Sequence, residues 1–461
     1  RLSGNVTAEM LKPNLPPALA RHLSGATDWR AELRLGRRQH ELQVTSDLAG
    51  MALSLPSPLR KSAALAIPLT LTRTPGDLRD SVIKASYGNL ISLRAELPVD
   101  GPPRVAVRLS QGEAPAPGGP GISLSGALRY LDLDAWRGID LGPATANGLE
   151  LSDIKLNLNE LKVGGRLLHD THVRAQPAAG GWKIVLAGRE LGGEILTLPS
   201  ARDSRKGNRV IANFKRLSLP EPAPDSLPGD IAGSTEQQLA ELELNAHNFN
   251  WRGLDLGELH LRLSPERTGY ALDHVSLALP EGRLQGKGVV SRHPRRPTRL
   301  DLNLEASDLG KLLGRLGYPG GIRGGETRIE GDLNWVGGIE DFDLARLNGD
   351  FKVAVKKGQF LKVEPGVAKL LGILSLQALP RRITLDFRDV FSEGFAFDEI
   401  LGDVHLERGA GYTRDLKMNG PAAKVSMSGV VDLVGETQNL RVNIQPRLDD
   451  TVAVASAIVG G

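Results

Sequence analysis

The stretch Leu300-Asp301-Leu302-Asn303-Leu304-Glu305 alternates apolar and polar residues without a break. In an extended chain successive side chains point to opposite sides, so the three leucines share one face and the polar residues share the other. The same period runs through Glu241-Leu242-Glu243-Leu244-Asn245-Ala246-His247 and Leu259-His260-Leu261-Arg262-Leu263. It returns in Ile383-Thr384-Leu385-Asp386-Phe387-Arg388 and Leu440-Arg441-Val442-Asn443-Ile444-Gln445. So much one-sided sheet must bury its apolar face against something, and what that is decides the function.

The 461 residues suffice for several ordinary domains or one long repetitive one. Hydrophobic residues make up 40% and aromatics only 4%, so Leu, Val, Ile and Ala must build the apolar face. Lys and Arg number 57 against 54 acidic residues. That diffuse balance argues against a nucleic-acid binder, which would concentrate basic charge on one face. The clusters Arg292-His293-Pro294-Arg295-Arg296 and Arg202-Asp203-Ser204-Arg205-Lys206 are broken by Pro or Asp and read as solvated loops, with contact to anionic lipid headgroups as the lesser alternative. The chain has no Cys, which excludes disulfides, a thiol nucleophile and Cys-ligated zinc. It starts at Arg1 inside an alternating pattern, so it reads as a piece of a longer protein. No apolar run reaches the roughly 20 residues that a membrane-spanning helix needs.

Pro/Gly-rich breaks at residues 111–121 and 220–225 read as exposed loops, with the same texture on both sides. A weak repeat of short antiparallel meanders, with Gly at the turns, recurs over residues 165–195, 253–286 and 394–429. Two segments switch to helical spacing. After Ser307, an expected N-cap, Leu309, Leu312, Leu313 and Leu316 recur on one face, predicting a helix over 307–317. After Pro365, residues Val367, Leu370, Leu371, Ile373, Leu374 and Leu376 make a segment over 365–379 that is apolar nearly all round. At about 1.5 Å per residue it is too short to cross a bilayer. It is expected to be buried in the sheet's concave face, closing the groove, or to touch a membrane surface.

Searching for chemistry finds none. In His169-Asp170-Thr171-His172 the odd separation predicts that the two imidazoles lie on opposite faces, a poor arrangement for one metal. Gly282-Arg283-Leu284-Gln285-Gly286-Lys287-Gly288 lacks the spacing of a phosphate loop and reads as a hairpin. Asp449-Asp450 suits a solvated tail better than an acid/base pair. The chain is therefore expected to be no enzyme, with no cofactor and no metal.

The C-terminal block carries a resemblance. It includes Gly358-Gln359-Phe360-Leu361-Lys362-Val363-Glu364-Pro365-Gly366, then Leu385-Asp386-Phe387-Arg388-Asp389-Val390-Phe391, Gly394-Phe395-Ala396-Phe397-Asp398 and Met418-Asn419-Gly420-Pro421. It resembles the C-terminal region of the AsmA-like superfamily of Gram-negative bacteria, and within it the YhdP branch. Asp132-Leu133-Asp134-Ala135-Trp136 and Leu48-Ala49-Gly50-Met51 have the same look upstream. The resemblance implies a bridge-like lipid transfer protein in the periplasm, held in the inner membrane by an N-terminal anchor outside this sequence. It implies phospholipid movement toward the outer membrane, support of that membrane's permeability barrier, and an outer-membrane partner near the C-terminal end.

The expected fold is mainly β: an elongated, twisted antiparallel sheet curled into an open hydrophobic groove, with a few short helices. Its expected segments are 1–110, 121–219, 234–340 with the helix at 307–317, and 341–461 with the apolar helix at 365–379. Expected to line the groove are Leu242, Leu244, Leu259, Leu261, Leu263, Leu302, Leu304, Val353, Val355, Leu385, Phe387, Val404, Leu406, Val425, Met427, Val442 and Ile444. Phospholipid acyl chains would fill it. About 30 methylenes at about 0.8 kcal/mol each would otherwise cost more than about 20 kcal/mol in water. The alternatives at this point are an assembly chaperone for outer-membrane strands, acting by edge pairing, and a stack of β-sandwiches without lipid.

Overall fold

The computed structural model describes residues 1–15, 17–36, 40–75, 80–137, 139, 149–199, 209–222, 241–339, 341–361, 394–435 and 437–447. The chain is mainly β with a few short helices, and it divides into two compact units. The first comprises Arg1–Ala201 with Arg209–Gln237, and the second Arg202–Asn208 with Gln238–Gly461.

Strands of the first unit are β1 (Leu2–Thr7), β2 (Leu23–Leu35), β3 (His40–Ser46), β4 (Met51–Leu53), β5 (Leu69–Pro75), β6 (Ser81–Tyr87) and β7 (Ile91–Leu97). They continue with β8 (Arg104–Leu109), β9 (Gly121–Asp132), β10 (Leu151–Val163), β11 (Arg166–Ala178), β12 (Gly181–Ala187), β13 (Leu191–Leu198) and β14 (Arg209–Leu219). Helices α1 (Ala8–Leu11), α2 (Pro17–Ala20) and α3 (Leu133–Arg137) interrupt them. Most neighbours are antiparallel, joined by tight turns. At the β10–β11 turn Gly164 (φ 58) and Gly165 (φ 68) are both left-handed, the twist that suits a two-residue hairpin.

One departure from the antiparallel expectation is that β9 runs parallel to both β8 and β10. A parallel pair cannot be closed by a hairpin, so the chain must cross back. The Pro/Gly-rich segment before β9 does this between β8 and β9. Its backbone is held where Ser92 Oγ donates to Gly112 O (2.7 Å) and Arg108 Nη1 donates to Glu113 O (3.1 Å).

The two upstream motifs that carry the resemblance prove to be turns with specific bonds. Asp134, in α3, accepts the amides of Gly164 and Gly165 at 2.8 Å each, and Trp136 Nε1 donates to Ser57 O at 3.0 Å. Leu48 (φ 53) and Gly50 (φ 86) shape a loop whose carbonyls converge on buried Lys61. Its ammonium donates to Leu48 O and Met51 O at 2.7 Å and to Ser62 O at 3.1 Å. Burial pushes this lysine below its ordinary value, with Asp47 opposing the shift.

The second unit contains β15 (Glu241–Ala246), β16 (Phe249–Trp251), β17 (Leu254–Asp255), β18 (Glu258–Glu266), β19 (Gly269–Leu279), β20 (Gly282–Ser291) and β21 (Pro297–Ala306). Helix α4 (Leu309–Arg315) follows. Then come β22 (Ile322–Val336), β23 (Asn348–Phe360), β24 (Phe395–Glu407), β25 (Ala410–Asn419), β26 (Ala423–Asp432) and β27 (Thr437–Pro446). From β18 to β27 each strand pairs antiparallel with the next, and β15 pairs with β18.

Two local expectations are corrected. Helix α4 is capped by Asp308, whose carboxylate accepts the Lys311 amide (3.0 Å), because Ser307 Oγ is spent on Glu281 O (3.0 Å). Residues 282–288 are not a hairpin but the first part of β20. Their glycines face Ala306, Leu302 and Leu300 of β21; the Leu302 side chain occupies the space that a Cβ on Gly286 would need, and β21 backbone does so at Gly282 and Gly288.

Candidate functional site: the apolar face

Directly paired residues in a sheet point to the same side, so the register can be followed across strands as transverse rows. In the second unit one row runs Leu244, Leu261, Val275, Gly286, Leu302, Gly331, Phe351, Val404 from β15 to β24. Its neighbour runs Ala246, Leu259, Leu277, Leu284, Leu304, Ile329, Val353, Gly402. On one side lies the row Leu242, Leu263, Leu272, Gly288, Leu300, Leu333, Gly349, Leu406. On the other lies Thr327, Val355, Ile400, Met418, Val425, Ile444. Leu416, Met427 and Val442 join the face across β25–β27.

Every described residue of the expected lining falls in one of these rows: Leu242, Leu244, Leu259, Leu261, Leu263, Leu302, Leu304, Val353, Val355, Val404, Leu406, Val425, Met427, Val442 and Ile444. Leu385, Phe387 and the expected helix 365–379, with Val367, Leu370, Leu371, Ile373, Leu374 and Leu376, lie outside the described residues.

The rows are not equivalent. Val355 and Val425 sit in a buried cluster with Phe395, Phe397, Ile400 and Met418, against which Leu309 of α4 packs. At the opposite margin Leu406 is buried with Trp335 and Leu347, and Leu300, Leu333 and Phe351 lean on them. Protein thus seals both margins in the stretch from β22 to β26. Of the two middle rows, Leu244, Leu261, Val275, Leu302, Leu304, Ile329, Val353 and Val404 are only half-buried, while Leu259 is buried. The floor is kept low by glycine. A Cβ on Gly286 would lie 2.7 Å from Leu302 Cδ2, and one on Gly331 2.7 Å from Phe351 Cδ1. Each large side chain therefore lies across a glycine of the neighbouring strand instead of standing up from the sheet. Rows two residues apart are separated by about 6.8 Å.

The first unit repeats the design: groove segments were expected over 1–110 and 121–219, but no lining residue was named there. One row runs Leu2, Ala31, Val44, Leu71, Ala85, Leu93, Val107, Leu124, Ile154, Ala175, Ile184, Ile195, Ala212. Every member is aliphatic. The signal was present in Leu69-Thr70-Leu71-Thr72, but the Thr-rich alternation has less contrast, and the parallel strands offer no hairpin to fix the register.

The opposite face is charged. Arg328 reaches Glu330 (2.6 Å) and Glu305 (3.8 Å), and Lys356 reaches Glu399 (3.8 Å). A cleft of about 1650 Å³ opens on this side of β22–β27, with Lys352, Asp403, His405 and Arg414 among its lining. His405 Nδ1 lies 2.7 Å from Asp350 there. Among the described residues no group of three His, Asp or Glu could hold a metal ion. The two histidines of residues 169–172 also correct an expectation, because both lie on the solvent side. Asp170 (φ 51) keeps His169 outward while Leu168 and Thr171 turn in. They remain apart in chemistry, His169 Nδ1 meeting Glu190 (2.8 Å) and His172 Nδ1 meeting Asn157 (2.7 Å).

Helix α4 is clamped to its margin by Arg315, which donates to Glu281 at 2.8 and 3.0 Å and to Asp255 at 2.8 Å. The guanidinium bonds hold the Glu281 carboxyl below its ordinary value, outweighing its burial. A depressed carboxylate stabilises fully above its unfolded value, here 4.5, and the contribution is lost as pH falls through the lower folded value. Amide protection in α4 is therefore expected to fall below pH 4.5 in the native chain. In Arg315→Met it should already be low at neutral pH and nearly flat; an unchanged acid response in that variant would count against the clamp.

Among the described residues no helix is long and apolar enough to cross a membrane. No solved structure matches the chain. The chain is 25% identical over 468 residues to the intermembrane phospholipid transporter YhdP of Escherichia coli (strain K12). That alignment covers 96% of this chain and 36% of the relative, so the chain spans about a third of the length of the curated protein it matches. The family model described as YhdP protein matches residues 1–461, and the chain belongs to that family.

Proposed function

We propose that the apolar face of each unit carries phospholipid acyl chains, and that the chain is a segment of a conduit between the two membranes of a Gram-negative envelope. The observation that supports this best is the pair of half-buried aliphatic rows in the second unit, bounded from β22 to β26 by margins that protein has already sealed. An aliphatic surface left partly exposed over many strands is costly in water, at roughly 25 cal/mol for each Å². Acyl chains would cover it without demanding a hydrogen bond, and the rows offer no polar atom that a lipid tail would strand. Rows running across the strands give a tail a continuous apolar track in the direction in which strands are added. The name of the E. coli relative supports phospholipid as the cargo. Inner- and outer-membrane contacts and a periplasmic location are part of the same proposal.

The test is to purify the chain in mild detergent-free buffer and extract bound lipid for mass spectrometry. Phospholipid recovered with the protein is the expected result. A lipid-free chain that also fails to take up fluorescent phospholipid from vesicles would overturn the proposal.

A further inference from the structure

Two adjacent loops at the Trp335 margin of the second unit carry chemistry that acyl-chain carriage does not use. The turn between β20 and β21 presents Arg292, Arg295 and Arg296, and none of the three makes an ion pair among the described residues. The end of β22 and the loop after it present Val336, Ile339 and Phe342, which are 52%, 47% and 40% exposed.

Hydrogen bonds tie the described residues of the two loops together. Thr298, fully buried, donates to Gly337 O (2.7 Å) and accepts the Ser291 amide (3.0 Å), while Gly337 N donates to Arg296 O (2.9 Å). Within the arginine turn, His293 N donates to Ser291 Oγ (3.0 Å) and Arg295 N to His293 Nδ1 (3.1 Å). In the apolar loop, buried Trp335 donates from Nε1 to Gly338 O (2.7 Å) and meets Phe342 edge-on at 5.3 Å. The nearby carboxylate of Asp341 is turned into the loop, accepting the Gly338 amide (2.9 Å).

We infer that this surface docks on an anionic phospholipid bilayer, its guanidiniums on headgroup phosphates and Ile339 and Phe342 entering the interface. Unpaired guanidiniums next to exposed aliphatic and aromatic side chains are complementary to a surface that is negative outside and apolar just beneath. Presentation on hydrogen-bonded loops reduces the ordering cost of such contact. The opposite margin differs in kind: there Arg315 is already neutralised by Glu281 and Asp255.

The experiment is flotation of the full chain with vesicles of phosphatidylcholine alone, or with about one third phosphatidylglycerol. Binding is expected only to the anionic vesicles and should weaken steeply between about 0.1 M and about 0.5 M salt. At roughly fivefold per arginine, Arg292→Gln/Arg295→Gln/Arg296→Gln should weaken it about 100-fold. Ile339→Ser should cost about tenfold with unchanged thermal unfolding, which separates lost contact from lost fold. Leu302→Asp should float like the native chain, so failure of the lipid track and failure of this surface give different results. Equal binding to both vesicles, or full binding by the triple variant, overturns the inference. So does absence of flotation with anionic vesicles, the result that a protein partner for this surface would give.

Discussion

Leu261→Asp and Leu302→Asp are each expected to reduce copurifying phospholipid at least about tenfold while leaving the amount of folded protein near normal. Both leucines lie in the same half-buried row, on β18 and β21. A carboxylate there faces water in the lipid-free chain and is tolerated. Once acyl chains cover the row the charge must be desolvated, at a cost of several kcal/mol. The proposed cargo, not the fold, should therefore suffer. Parity supplies the control. Arg299→Asp places a carboxylate on the same strand at an exposed position of the charged face, and should leave lipid content unchanged. Equal lipid loss from Arg299→Asp and Leu302→Asp would refute the track, as would retention by both leucine variants.

Trp335→Ala should have the largest effect on stability, about 4 kcal/mol in the unfolding of the second unit. The indole is only 1% exposed, anchors the cluster of Leu347 and Leu406, and satisfies the Gly338 carbonyl. Its removal leaves both a cavity and an unpaired acceptor. Trp335→Phe should recover most of the packing and lose only the hydrogen bond, about 1–2 kcal/mol. Denaturant unfolding followed by hydrogen exchange at Leu347 and Leu406 separates the two. A Trp335→Ala chain as stable as the native one would show that this margin is not sealed by the cluster.

How far the sequence could be read follows from the contrast between neighbouring residues. Where Leu alternates with Asp, Glu or Arg, as around Leu302, only one face can be buried, and the facing of fifteen candidate residues follows from parity alone. Where the alternation is Leu with Thr, as around Leu71, a groove segment was expected but its lining residues were not singled out. Reading by parity also fails wherever the backbone turns left-handed. Asp170 (φ 51) returned His169 to the side of His172. Glycines were misread for a related reason. Gly282, Gly286 and Gly288 look like a turn in one dimension, yet each lies opposite a β21 residue that fills its space.

The sequence by itself determined the mainly β class, the single apolar face, the absence of a recognisable catalytic constellation and the family resemblance, because these are properties of local period and residue type. Only the tertiary structure decided which aliphatic side chains are sealed by protein and which stay partly exposed. That distinction depends on partners far away in the chain, such as Phe395 and Leu309 over Val355, or Trp335 and Leu347 beside Leu406. It also decided the parallel strand β9 and the arginine-bearing margin, since crossovers and loop-to-loop hydrogen bonds join residues with no shared periodicity.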